Sequence, residues 1–164
     1  MLNVFYNVPQ YFPNEIISLN NKKNLLKYEQ NLLDTVCKGK IGTPTNIEIF
    51  KNYRNDPKIK KYGMMSPNGQ KITAFIFIEE QKPAVYVAFL CSATKGGGSK
   101  LLKYIKEKYS STKGYTSIYL HSRKHAIKFY QKQGYKTERL RNLVSSFIPN
   151  SIYFNAPQMV YKIS

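Results

Sequence analysis

Two neighbouring segments of the chain read as strands that are apolar on both faces. Over residues 71–78, Ile72, Ala74, Ile76 and Ile78 alternate with Thr73, Phe75 and Phe77. After a turn at residues 80–83, residues 84–91 repeat the pattern, with Val85, Val87 and Phe89 opposite Tyr86, Ala88 and Leu90. Strands of this kind belong in the middle of a sheet with helices on both sides, and the short turn predicts a hairpin. Helical spacing flanks the pair. Leu25, Tyr28, Leu32, Leu33 and Val36 predict an amphipathic helix over 19–38, started by Asn20 or Asn21 and stopped at Gly39. Leu101, Leu102, Ile105 and Tyr109 form the buried stripe of a second helix over 99–109. A strand at 116–121 follows, then a helix capped by Ser122, with Ala126, Phe129 and Tyr130 facing inward and Gly134 at its end. Residues 41–67 carry Pro44, Pro57 and Pro67 and read as loop-rich, with a short strand at 46–50 and a basic stretch at Lys58, Lys60 and Lys61. The tail offers a strand after Tyr135, an irregular stretch around Pro149 and a closing strand at 159–163.

At 164 residues and 42% hydrophobic content, the chain is expected to fold as one domain around one core. Its longest apolar run, residues 84–91, is far shorter than a membrane-spanning helix. Residues 1–11 contain neither Lys nor Arg, and Asn3, Asn7 and Pro9 break their apolar run, so no secretion signal is read there and a cytoplasmic protein is expected. Cys37 and Cys91 are the only cysteines and His121 and His125 the only histidines; reduced thiols and no metal are expected.

The net charge of +17, from 26 Lys and Arg against 9 Asp and Glu, admits three readings. It can reflect codon bias, since the Lys, Asn, Ile and Tyr that abound here have AT-rich codons. Lys124, Lys128 and Lys132, like Lys100, Lys103, Lys106 and Lys108, can also form solvated helix faces, or attract an anionic cofactor or nucleic-acid phosphate.

Candidate chemistry concentrates where the second strand runs through Thr94-Lys95-Gly96-Gly97-Gly98-Ser99 into a helix. Consecutive glycines let backbone amides converge, and the helix N-terminus that follows favours anions, which together suit phosphate. Two familiar phosphate loops are excluded. The triphosphatase loop needs Lys after its last Gly, where Ser99 stands, and the dinucleotide fingerprint needs Gly where Leu101 stands.

The order of elements over residues 71–135 resembles the GNAT superfamily of acetyl-CoA-dependent N-acyltransferases. The matching segments are AVYVAFLC, ATKGGGSKLL, SIYLH and RKHAIKFYQKQGY, and the final MVYKI matches the family's last strand. The resemblance implies an α/β domain of the α+β kind, with a mixed, mostly antiparallel central sheet flanked by helices. Residues 68–164 would form the cofactor-binding core and 1–67 the acceptor-side helix and loops. Gly96 and Gly98 fall on the motif glycines, so the amides of Lys95, Gly96, Gly97, Gly98 and Ser99 are expected to hold the coenzyme A pyrophosphate. Phe89, Leu90 and Cys91 occupy the strand edge that pairs with pantetheine. Tyr130 lies where relatives keep a tyrosine near the cofactor sulfur; a phenol of pKa about 10 can protonate a thiolate without itself ionising at neutral pH.

The sequence departs from the pattern in three places. Ala93 replaces the Gln or Arg of the phosphate motif, and Lys95 is the available charge. Arg123 stands where Asn is common. Residues 84–91 hold no carboxylate to act as base, so His121 becomes the candidate, with Glu79 and Glu80 behind it. The expected function is direct acetyl transfer from acetyl-CoA to a primary amine of a small molecule or protein, by a monomer or homodimer without membrane attachment. The alternative is a non-catalytic acyl-CoA or nucleic-acid binding module on the same fold.

Overall fold

In the computed structural model, which describes residues 15–33, 44–138 and 156–164, the chain runs β1 (Ile16–Ser18), α1 (Lys22–Asn31), α2 (Pro44–Arg54), β2 (Ile59–Met65), β3 (Ile72–Gln81), β4 (Ala84–Ser92), α3 (Gly97–Ser110), β5 (Ser117–His121), α4 (Ile127–Lys132), β6 (Lys136–Glu138) and β7 (Gln158–Lys162). The strands form one sheet in the order β1-β2-β3-β4-β5-β7-β6. Every neighbouring pair is antiparallel except β4 and β5. This is the mixed, mostly antiparallel sheet with flanking helices that the resemblance implied.

Both faces of the central hairpin are covered, because both are apolar. On one side Leu101, Leu102, Ile105 and Tyr109 of α3 pack against Ile76, Ile78, Val85 and Val87. On the other, Leu25 and Tyr28 of α1 and Phe50 of α2 pack against Phe75 and Phe77. Each such buried side chain contributes about 1.5–3 kcal/mol. Asn21 starts α1 by accepting the Asn24 N–H at 2.9 Å.

The alternation expected along β3 and β4 holds only in part, because each strand carries one extra residue. Phe77 pairs with Phe89 and Ile78 with Val87, so Ala88 bulges from β4. Beyond it the faces exchange: Leu90 joins Val85 and Val87 on the α3 side, while Phe89 and Cys91 join Tyr86 and Ala88 opposite. Met64 pairs with Ala74 and Met65 with Ile72, so Thr73 is extra in β3. Ile72 therefore lies with Phe75 and Phe77, not with Ala74.

Residues 41–67 are less loop-like than expected. The short strand at 46–50 is instead part of α2, which has Pro44 at its first position, where a missing N–H costs nothing. Phe50 and Tyr53, three apart, reach the same cluster, a helical spacing. The basic stretch lies largely in β2. Lys61 is only 4% exposed, and its ammonium donates to the carbonyls of Asp56 (2.9 Å) and Ile59 (2.6 Å), while Lys60 donates to Glu80 at 2.6 Å. Burial lowers the Lys61 pKa, partly opposed by nearby Asp56. Ser122 caps no helix: its hydroxyl donates to the Arg123 carbonyl, and a 3-10 turn (Lys124–Ala126) precedes α4. Residues 34–39 with Cys37, and the stretch around Pro149, lie outside the described residues.

Candidate active site

The parallel pairing of β4 and β5 is brief: Ala84–Ser117, Val85–Ile118 and Tyr86–Tyr119. Both strands continue, β4 to Ser92 and β5 to His121, but β5 stays with β7 as far as His121–Gln158. Among the described residues no strand pairs with β4 beyond Tyr86 on that side. The divergence begins just before the Ala88 bulge, and bulges bend strands. Over Val87–Leu90 the β5 side of β4 therefore lies along no described strand, and an open strand edge can receive an extended ligand.

This edge leads directly into the glycine turn, where each glycine meets a different requirement. Gly96, the N-cap of α3, has φ +84°, and a Cβ there would meet open space; backbone conformation alone demands glycine. Gly97 sits against the sheet, where a Cβ would come within 2.4 Å of Ser92 Oγ and 3.0 Å of Ala74 Cβ. A Cβ on Gly98 would lie 3.3 Å from Phe129 Cζ and 3.8 Å from Leu90 Cδ2. The Gly97 N–H donates to the Thr94 carbonyl at 3.2 Å, so that amide is committed within the turn. The Lys100 N–H opens the helical ladder at Gly96 O, 3.1 Å, leaving the Gly98 and Ser99 amides in the first turn, where helices bind anions. Lys95 is exposed beside them.

Helix α4 closes the α3 side of this region. Phe129 and Tyr130 pack edge-to-face with centroids 5.0 Å apart, and both join the cluster that includes Leu90. Tyr130 also meets Tyr135 at 5.9 Å. Burial pushes the Tyr130 phenol up to about 12, so it keeps its proton across the neutral range. The Gln133 side-chain amide, at the end of α4, donates to Ser99 Oγ at 3.0 Å. Leu90, Gly98, Ser99 and Tyr130 are therefore gathered on one side of the open edge.

His121 lies on the other side. Ile118 and Leu120 of β5 face α3, so Tyr119 and His121 alternate to the opposite face, where His121 stands 5.9 Å from the Tyr86 ring and 6.3 Å from the Tyr119 ring. Burial lowers the His121 pKa below 6.5, which favours the neutral, proton-accepting imidazole. Tyr119 OH donates to Gln81 Oε1, and Gln81 Nε2 donates to Glu79 at 2.9 Å. Burial, and then the Glu79 charge, raise the Tyr119 pKa. Glu80 is engaged elsewhere, accepting from Lys60 and from Tyr109 OH, each at 2.6 Å. Burial alone would raise its pKa, but these hydrogen bonds and the Lys60 charge hold it below the ordinary carboxylate range. Glu80 is thus a structural tie between β2, β3 and α3. Among the described residues no group of three or more His, Cys, Asp or Glu is placed to hold a metal, and no helix is long and apolar enough to cross a membrane.

No family model and no curated protein matches the sequence. Solved structures do match the architecture. Tetrahymena GCN5 superposes with a TM-score of 0.72 at 19% identity, over 93% of this chain and 97% of that one. A GNAT-family acetyltransferase from Staphylococcus aureus Mu50 gives a TM-score of 0.64 at 18% identity, over 92% and 99% of the two chains. The chain has the GNAT fold. An aminoglycoside 6'-N-acetyltransferase complexed with coenzyme A shares that fold, with a TM-score of 0.62 at 18% identity over 92% of this chain and 97% of that one.

Within the GNAT fold, three site features escape a reading of the sequence: the Tyr86, Tyr119 and His121 group, the Gln133–Ser99 bond and the commitment of Glu80. Each joins residues distant along the chain. The only available signal was the alternation of β5, which puts Tyr119 and His121 on one face.

Proposed function

We propose that the chain is an acetyl-CoA-dependent N-acetyltransferase that moves an acetyl group directly to a primary amine. The observation that carries this reading is the divergence of β4 from β5 after Tyr86, which leaves the Val87–Leu90 stretch along no described strand on that side, just before the Gly96–Ser99 turn. The residues present fit the cofactor. The edge offers backbone partners to the amide-containing arm, the first turn of α3 offers amides to the pyrophosphate, and Gly98 keeps its position against Phe129 and Leu90 clear of a Cβ.

Bound there, acetyl-CoA supplies the activated acyl group. Backbone amides at Leu90 or Cys91 are the candidates to polarise its carbonyl. Tyr130 approaches from the α3 side. With its pKa pushed up to about 12, complete proton transfer to sulfur, whose thiol ionises near 8.5, is uphill by about 3.5 pKa units. Its main contribution is then a hydrogen bond to charge developing on sulfur. His121 works from the opposite face, where its neutral imidazole accepts a proton from the incoming ammonium, directly or through one water. Tyr86 and Tyr119 flank it as walls of the acceptor side.

A second reading, a non-catalytic acyl-CoA binding module, draws on the absence of any carboxylate in β4. One assay separates the two: coenzyme A thiol release from acetyl-CoA over a panel of small-molecule and peptide amines. Amine-dependent release supports the transferase. Binding of coenzyme A without release from any amine favours the module.

A further inference from the structure

The net charge is unevenly placed. Residues 95–136 carry ten Lys and one Arg against a single acid, Glu107, whereas residues 15–58 carry eight cations against five acids. Residues 95–136 build α3 and α4, which pack on one face of the sheet, while α1 and α2 cover the other. Codon bias spreads lysines along a whole chain and does not collect them on one side of a sheet. On or beside α3 and α4, Lys103, Lys113, Lys124 and Lys128 are all exposed.

The transferase reading uses the cations beside the glycine turn and leaves those farther along α3 and at the start of α4 without a role. Away from that turn, Lys103, Lys106, Ser110 and Ser111 line an open hollow of about 540 Å³ together with Glu107 and Tyr161. Glu107 is the one carboxylate in this lining, 3.8 Å from Lys103 Nζ in an exposed pair of little energetic weight. Lys106 is held by neutral groups: its ammonium donates to the Gln133 carbonyl and lies 4.5 Å from the Tyr161 ring centre. These partners fix the cation without cancelling its charge. Lys103 and Ser110 stand about 10 Å apart along the helix, at about 1.5 Å per residue. Duplex nucleic acid carries one negative charge per ~1.7 Å of its axis, so that length alone faces about six phosphates.

We propose that the outer face of α3 and α4 binds the phosphate backbone of a nucleic acid without reading its bases, a property independent of the transferase reading. Lysines and serines are backbone-contacting side chains, whereas base edges are read chiefly by Arg, Asn and Gln. A lipid surface suits the face less well. Interfacial helices need an apolar side, and the large exposed apolar side chain among the described residues, Leu26, belongs to α1 across the sheet. A protein partner also suits it less well, because lysine is depleted from protein interfaces.

The test is fluorescence-anisotropy titration of the full chain with a labelled, mixed-sequence DNA duplex of about 20 base pairs over a range of salt. Two variants lose the same charge on opposite sides of the sheet: Lys103→Gln/Lys113→Gln/Lys124→Gln/Lys128→Gln on the proposed face, and Lys22→Gln/Lys23→Gln/Lys27→Gln/Lys51→Gln across from it. All eight lysines are exposed, so both variants should fold, which their melting temperatures check. In the first, the slope of log affinity against log salt should flatten by about 1.8 or more, the loss of two phosphate contacts at about 0.9 each. In the second it should flatten by less than about 0.9. Equal flattening in the two variants, or no duplex binding by the wild type, overturns the proposal. Displacement of the duplex by saturating coenzyme A assigns these lysines to the cofactor and also overturns it. Tighter, face-dependent binding of phosphatidylserine vesicles or of polyglutamate than of the duplex gives the face to a lipid surface or an acidic protein instead.

Discussion

The side-chain amide of Gln133 donates to Ser99 Oγ at 3.0 Å, fastening the end of α4 to the first turn of α3. Because Tyr130 lies one turn before Gln133, this bond sets the helix that carries the phenol against the turn that would hold phosphate. Gln133→Ala removes it. Stability should fall by about 1 kcal/mol, the net worth of a typical hydrogen bond, and coenzyme A affinity should fall too. Thermal melts and titration measure both, and a variant matching wild type in both would show that the bond positions nothing.

Tyr130→Phe tests the group on the α3 side. The ring contacts with Phe129 and Tyr135 survive the change, so folding and coenzyme A binding should be nearly unaffected. The turnover number should drop by about 10²-fold or more, as when a hydrogen-bond donor to developing charge is removed. A loss confined to KM would remove the phenol from the chemistry.

His121 predicts a pH profile. Its pKa lies below 6.5 because burial disfavours the charged ring, so activity should hold as pH drops to 6.5 and decline only below it. His121→Gln should erase that acid limb and lower the rate at neutral pH. Stability follows the same sign. A depressed histidine leaves the folded state at full stability above the unfolded value of about 6.5 and destabilises it as pH falls from there through the folded pKa. An acid limb centred above 6.5, or one that persists in the variant, would point to a different base.

Glu80→Gln separates structure from chemistry. The carboxylate accepts from Lys60 and Tyr109, so its loss should lower stability at neutral pH by about 1–3 kcal/mol. The rate per folded molecule should be unchanged. The Glu80 contribution, from a carboxyl held below its ordinary pKa, is present above the unfolded value and is lost as pH falls through the lowered one. A rate loss exceeding the loss of folded protein would return Glu80 to the list of bases.

Gly97→Ala places a methyl 2.4 Å from Ser92 Oγ and 3.0 Å from Ala74 Cβ. A Ser hydroxyl can turn away, but the Ala74 contact forces α3 outward, and overpacking of this kind costs about 1–3 kcal/mol. The melting temperature should fall, and Gly97→Ala/Ala74→Gly should recover more of the loss than Gly97→Ala/Ser92→Gly. The reverse order would locate the strain at Ser92 instead.

What the sequence revealed follows from where its signals are local. The β3–β4 hairpin, α3 and the glycine turn were legible because alternation, helical spacing and three adjacent glycines are all short-range patterns. The Ala88 bulge was not: an extra small apolar residue between Val87 and Phe89 breaks no composition rule, yet it moves Phe89 and Leu90 to exchanged faces. The β2 strand was hidden by its own lysines, since the carbonyls and carboxylate that satisfy Lys60 and Lys61 appear only once the chain is folded. In the site, the glycines and Tyr130 stood out by motif, whereas the meeting of Tyr86 with His121 depends on β4 lying beside β5.

The parting of β4 from β5 also bears on the order of events. With the glycine turn and Tyr130 on one face of the sheet and His121 with its tyrosines on the other, acyl donor and amine would, on the proposed function, arrive by separate routes and meet at a slot in the sheet. Neither would block the other's entrance, so the proposed enzyme has no steric reason for a compulsory order of addition. Both reactants can be present together, and the acyl group can pass between them without first resting on the protein.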